Sequence, residues 1–273
     1  MLDLGAPVVM GVLNVTPDSF SDGGRFAERD AALRHARRMI EEGAAIIDIG
    51  GESTRPGAAP ATVAEELERV VPVVEALRRE SAAFISVDTS KPEVMRAACA
   101  AGADIINDVR ALREPDALAV AANTGAGICL MHMKGEPRTM QAAPGYDDVV
   151  GEVSAFLAER VAACRAAGIG SARLTLDPGF GFGKRIVDNL VLLKHLDQLR
   201  KLGLPLAVGL SRKSMLAKIT GRDVDDRTAG SIALAAIAVL NGARIVRAHD
   251  VAATVDAIRV AAAAVQGESF DGT

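Results

Sequence analysis

Residues 84–107 read FISVDTSKPEVMRAACAAGADIIN, and this stretch decides the fold. Its apolar runs at 84–87 and 104–106 predict two buried strands. Between them Ser90, with a glutamate three residues later, has the spacing of a capping box, which predicts the start of a helix. Gly102 is typical of a helix end, because glycine adopts the left-handed cap conformation at little cost. The stretch therefore predicts one strand–helix–strand unit.

The same unit recurs along the whole chain. Eight buried strands are predicted, at 8–13, 45–49, 84–87, 104–106, 127–131, 173–176, 205–209 and 244–247. Thr62 and Glu65 form a second predicted capping box. Helix ends are predicted at Gly43, Gly102, Gly168, Gly203 and Gly242. Eight units without a linker predict a single (β/α)8 TIM barrel over residues 1–273. An open, doubly wound sheet has the same periodicity, and the count of eight favours closure.

Composition and charge narrow the possible functions. The chain has 31 basic and 35 acidic residues, a net charge of −4, and no basic run, which argues against a nucleic-acid partner. Cys99, Cys129 and Cys164 lie far apart without CxxC spacing, which predicts buried thiols and argues against a disulfide scaffold. No apolar stretch approaches the ~18 residues of a membrane span, and no secretory signal is visible. These features predict a cytoplasmic protein with no membrane partner.

Polar side chains follow the predicted strands at their carboxyl ends. They include Asn14, Asp48, Asp88, Asn107, His132, Asp177, Ser211, Arg212, Lys213, Arg247 and His249. In a barrel these ends converge on one face, where active sites are built. Loops are polar simply because they contact water, but that alternative does not account for carboxylates and amides directly after buried runs. Three long loops, at 15–25, 51–61 and 132–146, are predicted to be either disordered or lids on that face, and lids are favoured. The segment 132–141 within the third loop is interpreted as a structural loop.

Two long motifs stand out, MGVLNVTPDSFSDGG at residues 10–24 and DIGGESTRPG at residues 48–57. They resemble the first and second signatures of the dihydropteroate synthases. Further matches lie at 87–89, 106–108, 176–182, 211–214 and 247–250. The resemblance covers about residues 8–265 and implies a barrel enzyme with Mg²⁺ as its cofactor. Its expected reaction condenses (hydroxymethyl)dihydropterin diphosphate with p-aminobenzoate and releases pyrophosphate.

A buried pterin site needs a carboxylate that accepts two donors, an amide, and a cation near the ring carbonyl. Asp177, Asn107 and Lys213 supply these three types. The resemblance implies a pterin site made of Asp88, Asn107, Asp177, Phe182, Lys213 and Arg247. Each type also has an ordinary alternative. Asp177 can be a turn residue, Asn107 a turn amide and Lys213 a surface lysine at a helix start.

Arg247 and His249 lie two residues apart, so in extended chain their side chains face the same way. A helix predicted to begin at Asp250 would place its positive end beside them, which favours a diphosphate site. A packed, structural role is the alternative for His249. Asn14 offers a neutral oxygen suited to Mg²⁺, and the resemblance implies that it touches that metal. The implied catalytic residues are Asp88, Lys213, Arg247 and His249.

The p-aminobenzoate pocket depends on loops. The resemblance implies that it is lined by Phe20, Thr54, Pro56, Lys213 and Ser214. It also implies that Asp22 and Arg55 order the two long loops above it. Loop packing, a turn and a helix cap are the alternatives for Phe20, Pro56 and Ser214. We expect the pterin diphosphate to bind first, because loop closure around its phosphates would complete the second pocket.

The residue types also bear on mechanism. No Ser/His/Asp or Cys/His signature predicts a covalent nucleophile, and an arylamine is neutral at pH 7 without a base. Pyrophosphate departure is therefore the difficult step, and a dissociative, cation-like transition state is expected, with Asp88 stabilising the positive charge. The apolar helix Gly230–Leu240 is the predicted surface of a homodimer.

Three other functions remain open at this point. A pterin-dependent methyltransferase barrel would not need the pair Arg247 and His249. An aldolase-like barrel would use Lys213 as a Schiff base. A noncatalytic pterin-binding protein would be expected to lose some of the charged residues Asp88, Asp177, Lys213, Arg247 and His249, all of which are present here.

Overall fold

A computed structural model describes residues 2–16, 24–52, 60–136, 139–140 and 144–267, with the backbone alone at 24–27. All eight predicted strands are present within two residues of their expected bounds. They are β1 (Val8–Asn14), β2 (Ile46–Gly50), β3 (Phe84–Asp88), β4 (Ile105–Asp108), β5 (Gly127–Met131), β6 (Leu174–Asp177), β7 (Ala207–Gly209) and β8 (Ile245–Ala248).

The strands form one parallel sheet that curls into a barrel. Their order is β6-β5-β4-β3-β2-β1-β8-β7, and each paired neighbour is parallel. The two outermost strands meet at a parallel bridge between Leu176 and Leu206. That bridge removes the free edges of an open sheet, so the predicted (β/α)8 barrel is confirmed and the doubly wound alternative is wrong.

Helices follow the strands on the outside of the barrel. Those within the described ranges are α1 (Gly24–Glu41), α2 (Val63–Glu80), α3 (Pro92–Ala101), α4 (Ala117–Thr124), α5 (Val149–Ala166), α6 (Ile186–Lys194), α7 (Leu196–Leu199), α8 (Ser214–Thr220), α9 (Thr228–Leu240) and α10 (Val251–Gln266). No helix in the described part of the chain is long and apolar enough to cross a bilayer. The predicted cytoplasmic location stays a prediction.

The predicted helix signals are confirmed with one exception. Thr62 and Glu65 form the capping box of α2, and the five glycines predicted as helix ends all have φ between 74° and 115°. The capping box predicted at Ser90 is wrong. Lys91 is the residue before α3, and the Ser90 hydroxyl donates a hydrogen bond to Asp108 on the neighbouring strand. The Ser90 hydroxyl therefore binds the carboxylate of Asp108, which is distant in sequence, and does not cap the helix.

The barrel interior is layered, apolar below and charged above. Met10, Ile46, Cys129, Ala207 and Ile245 pack together as a floor and are each at most 4% exposed. Because side chains alternate along a strand, the next inward position lies two residues on. On β2 that step leads from Ile46 to Asp48, and on β8 it leads from Ile245 to Arg247. The alternation of side chains that places apolar residues in the floor therefore also places charged residues inside the barrel, nearer the carboxyl ends of the strands.

Candidate active site

One hydrogen-bonded cluster joins β2, β3, β4 and β8 above the floor. The Arg247 guanidinium donates through Nε to Asp48 Oδ2 at 2.6 Å and through Nη2 to Asp88 Oδ2 at 2.8 Å. The Asn107 amide donates through Nδ2 to the same Asp48 oxygen at 3.1 Å. Three predicted site residues, Asp88, Asn107 and Arg247, are thus brought together around a fourth residue.

Sequence reasoning noticed Asp48 as a strand-end residue but gave it no role in the site. Its side chain is fully buried and its Oδ2 accepts from both Asn107 and Arg247. A buried guanidinium needs a buried anion, because an unpaired charge in the interior is strongly destabilising. Asp48 is the one carboxylate in the apolar run of β2, so the need of a buried cation for a buried anion could have predicted its role from the sequence.

The cluster contains competing effects on protonation. Burial raises the pKa of Asp88 to about 7, although the charge of Arg247 opposes the rise. Burial also disfavours the charge on Arg247, but Asp48 and Asp88 outweigh it and hold its pKa above the usual value. Arg247 is therefore a permanent cation, while Asp88 can take up a proton near neutral pH.

The mouth of the barrel, at the carboxyl ends of the strands, holds a second cation in a different setting, after β7, the neighbour of β8. Lys213 Nζ lies 4.3 Å from the centre of the Phe182 ring and makes no hydrogen bond or ion pair with any described residue. Burial and the charge of Arg247 lower the pKa of Lys213 to about 8. A Cβ on Gly181 would lie 3.2 Å from Lys213 Cδ, so the glycine permits this close approach.

Asp177 stands at the end of β6 beside this lysine. Its Oδ1 accepts the Gly179 amide at 2.7 Å, so the turn contact considered as an alternative is present. Its second oxygen makes no hydrogen bond within the described part of the chain and is available to a ligand. Burial raises the pKa of Asp177, and Lys213 acts in the opposite direction. Asp177 thus combines a structural oxygen with a free one.

An apolar wall near Phe182 was missed at the sequence level. Val109, Met131, Met133 and Met140 pack together with the Phe182 ring between the ends of β4, β5 and β6. These residues lie in loops or at strand ends, where no periodicity identifies them. Through Phe182 this apolar cluster adjoins Lys213.

His249 lies at the end of β8, next to the start of α10. The Ser211 hydroxyl oxygen is 3.2 Å from the His249 amide nitrogen and 3.0 Å from His249 Nδ1. Burial and the charge of Arg247 lower the pKa of His249 to about 4, so the ring is neutral at pH 7. Because the Ser211 oxygen accepts the backbone N–H, its own proton is free to donate to Nδ1. In the tautomer in which Nδ1 accepts from Ser211, the ring proton is on Nε2, which can donate to an anion.

Asn14, the predicted metal contact, fits a magnesium ion that takes most of its other ligands from water and from the substrate phosphates. A Cβ on Gly50 would lie 3.8 Å from Asn14 Oδ1 and 3.8 Å from Asp88 Oδ2, so the glycine leaves space between two oxygen donors. The described residues contain no group of three or more His, Cys, Asp or Glu side chains that could hold a metal alone. Mg²⁺ keeps several waters and binds through one or two protein oxygens plus substrate phosphates, which agrees with this donor set.

The residues predicted for the second pocket are only partly visible. Ser214 is the first residue of α8, directly after Lys213, as expected. The other five predicted residues lie outside the described ranges: Phe20, Asp22, Thr54, Arg55 and Pro56. Their roles stay predictions.

Comparison with known proteins agrees with this geometry. A family model described as pterin binding enzyme matches residues 10–249. The dihydropteroate synthase of Escherichia coli K12 is 54% identical over 267 residues, which are 98% of this chain and 95% of that protein.

Solved structures give the same result. Dihydropteroate synthase of Xanthomonas albilineans with 4-aminobenzoic acid has a TM-score of 0.92 and 55% identity, covering 97% of this chain and 95% of that one. The same enzyme in complex with 7,8-dihydropteroate has a TM-score of 0.89 and 52% identity, covering 97% and 96%. The chain belongs to the dihydropteroate synthases, a family of transferases.

Proposed function

We propose that this chain condenses (hydroxymethyl)dihydropterin diphosphate with p-aminobenzoate to give dihydropteroate and pyrophosphate. The observation that carries the proposal is a single mouth holding Asp177, Asn107, Lys213 and a carboxylate-paired Arg247. The relatives with bound 4-aminobenzoic acid and 7,8-dihydropteroate support both the second substrate and the product.

In this proposal the pterin lies across the apolar wall with its polar edges toward the charged residues. The free oxygen of Asp177 accepts ring and amino N–H groups, and Lys213 donates to the ring carbonyl. Asn107 turns its amide nitrogen toward Asp48, so its oxygen faces the ligand as an acceptor. Phe182 packs against the ring.

The diphosphate lies toward β8 and α10. His249 donates from Nε2, and Arg247 donates from Nη1, which its hydrogen bonds to Asp48 and Asp88 leave unused. Asn14, with Asp88 nearby, would hold Mg²⁺, which when bound neutralises charge that develops on the leaving phosphate oxygens. The protein groups thus stabilise the departing pyrophosphate and fix its direction.

The chemical step exchanges one bond at the pterin methylene carbon. The carbon–oxygen bond to diphosphate breaks, and the electron pair leaves with pyrophosphate. The arylamine nitrogen then donates its lone pair to the carbon, and its surplus proton passes to solvent. We propose a dissociative order, in which the pterin carries transient positive charge and the carboxylate of Asp88 stabilises it.

The p-aminobenzoate pocket is proposed to lie between Ser214 and the loops that carry Phe20, Thr54 and Pro56, with Asp22 and Arg55 ordering those loops. Lys213 adjoins both pockets because it directly precedes Ser214 at the start of α8. Closure of the loops over the diphosphate would complete this pocket, so we propose that the pterin binds first.

We also propose a homodimer formed through outer helices. Ile237 and Leu240 on α9 are 42% and 52% exposed, and Val187 and Leu190 on α6 are 54% and 41% exposed. A hydrogen bond of 2.8 Å from Asn241 to the Leu193 carbonyl joins the ends of these helices. Large apolar side chains exposed on neighbouring helices are typical of a protein–protein interface. Light scattering that shows a monomer at working concentration would contradict it.

The test is a product assay with both substrates and Mg²⁺. We expect equal amounts of pyrophosphate and dihydropteroate from the wild type, and strongly reduced amounts from Lys213→Ala and Arg247→Ala. Lys218→Ala, an exposed lysine in the same helix α8, is the matched control and should keep full activity. Formation of neither product by the folded wild type would contradict the proposal.

The same assay separates the alternative functions. Methyl transfer to or from a pterin would release no pyrophosphate. A Schiff-base enzyme would be trapped on Lys213 by borohydride in the presence of a carbonyl substrate, and the proposed displacement would not.

A further inference from the structure

A buried lysine outside the cluster described above has no part in the proposed chemistry. Lys184 lies after β6, and only 3% of it is exposed. Its Nζ is 2.9 Å from His132 Nδ1, 2.9 Å from the Gly179 carbonyl and 3.2 Å from the Phe182 carbonyl. An ammonium group has three N–H donors, so these three acceptors satisfy it completely.

Two of the acceptors belong to a tight turn that wraps around the ammonium group. Gly179, Gly181 and Gly183 have φ of 70°, 81° and 62°, a conformation that glycine adopts readily and other residues rarely do. A Cβ on Gly179 would lie 1.8 Å from the His132 carbonyl oxygen, and one on Gly183 would lie 2.1 Å from the Lys134 carbonyl oxygen. The turn is thus pressed against the segment that follows β5.

The third acceptor ties the turn to that neighbouring segment. His132 is buried, and its ring lies edge-on to Phe156 with centroids 4.9 Å apart. Burial and the charge of Lys184 lower the pKa of His132 to about 3, so the ring is neutral and Nδ1 can accept. The Lys184 ammonium therefore connects the chain after β5 with the chain after β6.

The turn held by Lys184 carries two groups of the pterin side of the mouth. The Gly179 amide fixes Asp177 Oδ1 at 2.7 Å, and the next residues bring Phe182 under Lys213. Asn189 of α6 supports the turn from outside, because its Oδ1 accepts the Gly181 amide at 2.8 Å. Removing the ammonium would take the Lys184 donor away from the carbonyls of Gly179 and Phe182. Gly179 would keep only the Phe182 N–H at 3.2 Å, and the turn would have to rearrange.

We infer that Lys184 is a positioning residue for the pterin substrate, acting as the hydrogen-bonding centre of the turn 179–183 that orients Asp177 and Phe182. It touches neither substrate. The role rests on the proposed function only in naming a pterin as the ligand. Its loss should therefore weaken pterin binding while the cations of the mouth remain in place and the chemical step is little changed.

The test compares Lys184→Met with the wild type in two assays. Lys184→Met keeps the apolar stem and removes the donors. In calorimetry with 6-hydroxymethylpterin we expect about a tenfold or greater rise in Kd, as for loss of hydrogen bonds to a charged group. In the product assay we expect the KM for the pterin diphosphate to rise with it, and kcat to change less than threefold.

Matched controls separate positioning from general destabilisation. Lys218→Met removes an exposed lysine and should change neither value. Leu77→Ala in α2 creates a cavity remote from the mouth and should lower Tm without raising the pterin KM. His132→Leu removes one of the three acceptors, so its shift in pterin Kd should be smaller than that of Lys184→Met and in the same direction.

The outcomes are decisive even if Lys184→Met does not fold. In that case Lys184→Gln, which keeps an amide donor, and His132→Leu carry the test. Folded variants that bind 6-hydroxymethylpterin as tightly as the wild type would overturn the inference. Because calorimetry needs no turnover, a wild type that binds the pterin but forms no product would count against the proposed function alone.

Discussion

The two cations of the mouth, Arg247 and Lys213, differ in their contacts with carboxylates. Arg247 is tied to Asp48 and Asp88 by ion pairs of 2.6 and 2.8 Å, whereas Lys213 is paired with no carboxylate in the described part of the chain. A buried ion pair is costly to break from one side, while an unpaired buried cation is itself unfavourable. The difference supports the proposal that Arg247 serves both fold and substrate, and that Lys213 is held available for substrate.

The largest effect is expected for Arg247→Ala. The variant leaves Asp48 and Asp88 buried without a counter-ion, which costs about 3–5 kcal/mol of the free energy of unfolding. Product formation should be nearly abolished, because the diphosphate also loses a cation. Thermal unfolding and the product assay check both parts. If Arg247→Ala kept the wild-type Tm, the claim that the ion pairs of Arg247 stabilise the fold would be wrong.

Lys213→Ala should separate activity from stability. Its kcat/KM should fall by about 10²–10³-fold, the typical loss when one charged donor to a ligand is removed. Its Tm should stay equal to or above that of the wild type, because no ion pair is broken. A large loss of stability in denaturant unfolding would show that Lys213 has a structural partner.

Asp48→Asn tests how far the fixed cation depends on its anion. The amide oxygen can still accept from Asn107 and Arg247, but one negative charge disappears. We expect the KM for the pterin diphosphate to rise by about tenfold, the lower range for a hydrogen bond to a charged group. Ser86→Ala is the matched control, since Ser86 is fully buried and paired with Asp48 in register between β2 and β3. An unchanged KM for Asp48→Asn would contradict the role given to Asp48.

The smallest and most gradual effect is the pH dependence. Burial lowers the pKa of Lys213 to about 8, so the cation is lost as pH rises through that value and kcat/KM should fall on the alkaline side. Burial raises the pKa of Asp88 to about 7, so its carboxylate is lost as pH falls and activity should also decline on the acid side. Arginine stays charged, so residual activity of Lys213→Arg should lack the alkaline decline. An alkaline decline in kcat/KM that persists in Lys213→Arg would show that a group other than Lys213 causes it.

The sequence predicted local structure well because strands and helix ends are decided by neighbouring residues. The apolar runs located all eight strands, and glycines such as Gly102 and Gly203 marked helix ends by their tolerance of positive φ. The polar residues after each strand located the mouth, since parallel strands in a barrel bring their carboxyl ends to one face.

Contacts between distant segments were beyond the sequence patterns. Asp48 acquires its role from Arg247, which lies 199 residues away. Ser90 fits a helix cap by spacing, yet Asp108 on the next strand takes its hydroxyl. In the sequence Lys184 has the pattern of an ordinary lysine before a helix. Only the folded turn shows that backbone carbonyls surround its ammonium group.

We propose that Lys213, which pairs with no carboxylate among the described residues, is held available to bind the pterin. The most direct measurement is the calorimetric Kd of 6-hydroxymethylpterin for the wild type and Lys213→Ala, with Tm recorded on the same samples. The account predicts a large loss of affinity, about tenfold or more, without a loss of Tm. Equal affinity in the two proteins would contradict it.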